Sequence, residues 1–80
     1  MPNKQFAERL HKELDVMGVP QHGRERLDVF SKLLKLPRFK AQAILEGMMP
    51  DPQILDNLGR ELEVDVDWLI GKSPGSKEQH

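Results

Sequence analysis

Nine residues, Arg38 to Glu46 (RFKAQAILE), carry the side chains best suited to reading another molecule. At about 100° per residue along a helix, Ala41, Ile44, Leu45 and Met48 gather on one side. Phe39 and Ala43 fall nearly opposite, flanked by Gln42, Glu46 and Lys40. Glutamine pairs bidentately with adenine, and small or aromatic apolar groups touch a thymine methyl. The outward side thus has the chemistry of a helix that reads base edges in a duplex groove. The same pattern also suits the solvent face of a helical hairpin in a small bundle, and the spacing alone leaves both open.

Other chemistries find little support. The three histidines, His11, His22 and His80, show no ligand spacing, so neither a metal nor a cofactor is expected. His11 lies beside an apolar stripe and reads as a partly covered surface residue. The chain has no cysteine, which removes disulfides, thiolate ligands and a thiol nucleophile. There is no nucleophile–base constellation and no glycine-rich phosphate loop, and so small a domain has little room for a pocket. An enzyme is not expected.

The elements that must hold residues 38–46 in place are all helical. A first helix runs from about Lys4 to Met17, with Asn3 as cap; Phe6, Leu10, Leu14 and Met17 form its stripe, and Lys4, Glu8, Arg9, Lys12 and Glu13 lie off it. Gly18 to Gly23 is a connection in which Val19 plugs the bundle. Arg24 and Arg26 open the next helix, where positive charge opposes the helix dipole, so each is either a phosphate contact or simply solvated. Leu27, Phe30 and Leu34 follow at helical spacing, with Ser31 the small side chain among them. Lys35-Leu36-Pro37 breaks this helix, and Pro37 suits the first turn of another. So tight a joint between two short helices is the geometry of a helix-turn-helix.

Of Met48 and Met49, one completes the core and the other is a surface contact. Asp51 caps a helix from Pro52 to about Glu63 that buries Ile54 or Leu55, Leu58 and Leu62. Gly59 in its interior implies the close passage of another helix. Asp65 caps a last short helix, Val66 to Ile70, ended by Gly71. Trp68 either closes the bottom of the core or, with Leu69 and Ile70, makes a dimer contact. The expected architecture is all-α, five helices in one domain over residues 1–71, followed by a polar, disordered tail at 72–80.

The net charge is −1, but its distribution is uneven. Residues 24–40 hold six cations against two acids, a net of +4, whereas residues 46–67 hold seven acids against Arg60, a net of −6. One basic face and one acidic face give the footprint of a modest DNA binder, oriented by repulsion of its acidic side. The N-terminus MPNKQF lacks the apolar run of a signal peptide, and no stretch is long enough to span a bilayer. A cytoplasmic protein without a membrane partner is expected.

In order and spacing these features resemble the Cro/CI-type helix-turn-helix proteins, the phage repressor-like XRE family, from about Phe6 to Gly71. The resemblance rests on the connection GVPQHGR after the first helix, the run Ile44-Leu45-Glu46-Gly47, the proline loop, and Leu62-Glu63-Val64-Asp65-Val66-Asp67-Trp68-Leu69-Ile70-Gly71. The chain departs from that pattern at four places. Ser31 replaces a small Ala, Lys35 the usual turn Gly, Pro37 a Ser or Thr cap, and Phe39 a small polar residue. A non-glycine at position 35 implies a left-handed backbone costing roughly 1–2 kcal/mol.

The resemblance implies a lambda-repressor-like five-helix domain and a sequence-specific transcriptional regulator, a repressor, that binds a pseudo-palindromic operator in double-stranded DNA as a homodimer. Arg38, Phe39, Lys40, Gln42 and Ala43 correspond to base- and backbone-contacting positions, with Arg24, Arg26 and Lys35 supplying further phosphate contacts. Larger members carry a C-terminal oligomerisation or self-cleaving domain, so this chain is either a small regulator in itself or a fragment. The alternative is an antitoxin-like or adaptor module that holds a protein partner with its acidic C-terminal helices.

Overall fold

The computed structural model describes residues 3–71, and residues 72–80, with the expected tail, lie outside the described part. Five helices follow one another: α1 (Lys4–Val16), α2 (Gly23–Leu34), α3 (Arg38–Leu45), α4 (Pro52–Leu62) and α5 (Val66–Leu69). The starts of three are set by side-chain caps. Asn3 Oδ1 accepts from Phe6 N at 3.0 Å, Asp51 Oδ1 from Ile54 N at 3.0 Å, and Asp65 Oδ1 from Asp67 N at 3.0 Å. α2 and α3 begin at His22 and Pro37, neither of which makes a side-chain cap.

The ends follow a common device. After α1, α2, α3 and α4 a residue takes up a positive φ: Gly18, Lys35, Gly47 and Glu63. The next amide reaches back five residues, Val19 to Leu14, Leu36 to Ser31, Met48 to Ala43 and Val64 to Gly59, at 2.9–3.0 Å. These are Schellman ends, which satisfy carbonyls that the helix leaves open. Gly18 and Gly47 adopt the conformation without strain. Lys35, at φ 56°, and Glu63, also at φ 56°, hold it as non-glycine residues.

α3 packs on α2 and α1, α2 also on α4, and α5 joins α4 to α1. Phe6, Leu10, Leu14, Phe30, Ala41, Ile44, Leu58 and Leu69 are fully enclosed, and Val19, Leu34 and Leu62 complete the core. Val19 does plug the bundle. Ser31 is buried, its hydroxyl donating to the Asp28 carbonyl at 3.0 Å. At Gly59 a Cβ would stand 2.5 Å from Val66 Cγ2, at the first residue of α5, and that near passage explains the absence of a side chain.

Three packing expectations need correction. Met17 is exposed while Glu13, placed off the stripe of α1, is buried and partnered, because the apolar face continues from Phe6 and Leu10 through position 13. Met48 is exposed, since α3 stops at Leu45 and Gly47 turns the chain before Met48 can extend the stripe. Met49 is exposed too, so neither methionine completes the core.

The left-handed lysine has a measurable consequence. Lys35→Gly is expected to raise stability by about 1 kcal/mol, read as a higher urea midpoint at unchanged slope. A lower midpoint contradicts the strain at this turn.

Candidate nucleic-acid interface

The placement of α3 begins with its inner side. Ala41 and Ile44 are fully buried and Leu45 is half-buried against the core. α1 holds the far end of the helix through two backbone carbonyls. Asn3 N donates to Gly47 O at 2.9 Å, and His11 Nε2 donates to Leu45 O at 2.9 Å. A carbonyl only accepts, so Nε2 carries the hydrogen. His11 Nδ1 faces Arg26 Nη1 at 2.9 Å, and a guanidinium only donates, so Nδ1 is the acceptor. One tautomer satisfies both.

Arg26 was expected at a phosphate, and the structure corrects this. Its side chain is buried and donates to Pro20 O at 2.9 Å, Val19 O at 3.1 Å, His11 O at 3.3 Å and the Asp15 carboxylate. It ties the 18–22 connection to α1 and α2 and has no freedom to meet a ligand. Arg26 stands four residues before Phe30 and eight before Leu34, on the stripe that faces inward, and that spacing was the sequence signal of its burial.

The other expected contacts lie on the surface. Phe39 is 78% exposed, Gln42, Arg24 and Lys35 are exposed, and Lys40 and Ala43 are half-buried. An open groove of about 380 Å³ lies between the first turn of α2 and the outer side of α3. Arg24, Arg38 and Gln42 meet along it with Gln21, Gly23 and Glu46, over a floor of His11, Arg26, Leu27 and Leu45. Phe39, Lys40, Ala43 and Lys35 do not line this groove. Because α2 and α3 lack side-chain caps, their first N–H groups remain available to an acceptor.

Two pairings of acids at α3 escaped the sequence reading. Asp28 of α2 forms an ion pair with Arg38, and both side chains are about half exposed, 43% and 55%. Glu46 accepts from Gln42 Nε2 at 3.2 Å. The second pair has the i, i+4 spacing of neighbours on a helix and was within reach of sequence reasoning; the first depends on how α2 meets α3.

At the other end, the tentative dimer contact is corrected in part. Leu69 is fully buried in the chain's own core and cannot face a partner. Trp68 and Ile70 are half-buried. The Arg9 guanidinium lies 4.9 Å from the centre of the Trp68 ring and also donates to the Trp68 carbonyl, so one ring face is already covered. Among the described residues no three His, Asp or Glu side chains are placed to hold a metal ion. No helix among them is long and apolar enough to cross a membrane.

Arg26→Ala is expected to cost about 2 kcal/mol, because it leaves the Val19 and Pro20 carbonyls and His11 Nδ1 without their donor, while Asp15 stays partly solvated. Arg24→Ala, at an exposed position, is expected to stay within about 0.5 kcal/mol of the parent chain. Urea denaturation of the two variants checks both, and equal midpoints contradict the assignment of Arg26 to the framework. No family model, no curated protein and no solved structure matches this chain.

Proposed function

We propose that the chain is a sequence-specific DNA-binding transcriptional regulator that reads the major groove with α3. The observation that carries this reading is the two-sidedness of α3. Ala41 and Ile44 are sealed inside while Phe39, at 78% exposure, and Gln42 face solvent. An exposed phenylalanine between Arg38 and Lys40 has no packing role in the monomer, whereas beside a thymine methyl it has apolar contact. Phosphates flanking the groove have partners in Arg24, Lys35 and Lys40 and in the open N–H groups that begin α2 and α3. Arg26 is no longer among these contacts.

One such unit reads only a few base pairs. Pairing of two copies on half-sites about one helical turn apart supplies the remaining specificity, and repression follows by occupancy of a promoter. In this scheme Gln42, Phe39 and Ala43 read bases and Arg38 and Lys40 stand between bases and phosphates. The protein is assigned to the cytoplasm on the same reading. The competing view, a module that holds a protein partner, draws on the exposed acids Asp51, Asp56, Glu61, Glu63 and Asp67. A stoichiometric partner that survives high salt and nuclease, with no DNA retained, favours that view.

Selection from a random pool of duplex DNA, repeated at two salt concentrations, tests the proposal. The expected result is a two-fold-related pair of half-sites. Gln42→Ala then loses about 1–3 kcal/mol at one base pair and little elsewhere. Equal losses on every sequence contradict the assignment of Gln42 to a base.

A further inference from the structure

Resting on the reading of α3 as the groove-facing helix, we infer that Glu46 is a positioning residue that makes Gln42 select adenine over guanine. A glutamine amide offers two N–H donors on Nε2 and an acceptor, Oε1. Adenine presents one acceptor, N7, and one donor, the N6 amino group, to the major groove. Guanine presents two acceptors, N7 and O6. A glutamine whose donors are both free can serve either purine, adenine through its N–H and its oxygen, guanine through its two N–H groups.

In this protein one donor is already engaged. Gln42 Nε2 donates to Glu46 Oε2 at 3.2 Å, one helical turn further along α3. A carboxylate only accepts, so the contact also settles which end of the amide faces Glu46. What remains outward is one N–H and one oxygen, the complement of adenine. To meet guanine, Gln42 must leave Glu46 or offer its oxygen to another acceptor. The carboxylate adds to the bias, since its charge is unfavourable beside the oxygen and nitrogen acceptors of guanine. Both residues line the same groove, and Glu46 is exposed, so its substitution leaves the core untouched.

The test uses the full 80-residue chain and a fluorescein-labelled duplex carrying the selected sequence. A second duplex has A·T replaced by G·C at the base pair where Gln42→Ala loses its preference. The wild-type chain is expected to favour adenine by roughly tenfold, within the range of one bidentate pair. Glu46→Ala brings the ratio close to one, mainly by improving the guanine duplex. Glu46→Gln, whose side-chain oxygen still accepts, keeps most of the ratio. Circular dichroism of both variants checks that the fold is retained.

If both variants instead tighten binding to the two duplexes by the same factor and leave the ratio unchanged, Glu46 acts only through its charge and the inference is overturned. A wild-type preference for guanine at this position overturns it as well. A wild-type chain that selects no sequence at all removes the reading of α3 itself, and that result is distinct from a preference that survives Glu46→Ala.

Discussion

The grip of α1 on the C-terminal end of α3 is the constraint from which the rest of the surface follows. Burial of Ile44 contributes about 1.5–3 kcal/mol, enough to hold the helix to the body. Burial is not directional, however, and would tolerate some rotation about the helix axis. The hydrogen bonds from Asn3 to Gly47 O and from His11 to Leu45 O contribute less, about 0.5–1.5 kcal/mol each, but they fix that rotation. Arg26 in turn holds His11 while it closes the 18–22 connection onto α1. A buried guanidinium with several acceptors is therefore part of the framework that aims α3, although it touches nothing outside the protein.

This arrangement also changes the meaning of the charge pattern. Of the six cations in residues 24–40, two are answered internally, Arg26 by Asp15 and Arg38 by Asp28. The first pair is largely enclosed on the arginine side, 4% exposed, and serves stability. The second lies at the surface, where such pairs contribute about 0–1 kcal/mol, so a phosphate can compete for Arg38. On the proposed reading, attraction to a duplex depends on fewer side chains than the net +4 suggests, and backbone N–H groups and base-edge contacts carry more of it.

Local chemistry made much of the fold readable from sequence. Asn3, Asp51 and Asp65 mark three helix starts because capping is a short-range interaction, and those starts fall where they were expected, whereas α3 stops at Leu45, short of the Met48 that the apolar repeat had included. The left-handed turn at Lys35 was foreseeable only through the resemblance, which puts a Gly there, and the close approach at Gly59 from the missing side chain. The left-handed Glu63 was not, since nothing at the expected end of α4 specified a conformation there. Errors gathered where distant segments meet. Arg26 stands at an inward-facing spacing, but what satisfies a buried guanidinium is set only when Val19, Pro20 and Asp15 converge on it, and Leu69 reads as surplus apolar surface until α5 folds under α1 and α4. The pairing of Asp28 with Arg38 belongs to the same class, because helical periodicity carries no information about what stands across a turn.

Amide chemical-shift mapping with a selected duplex addresses the central claim most directly, because it reports which face of the folded chain meets DNA. The largest changes are expected on residues 38–46 and on the first turn of α2, with α4 and α5 nearly silent. Changes concentrated on α4 and α5, or spread weakly and evenly over the whole chain, would contradict that claim.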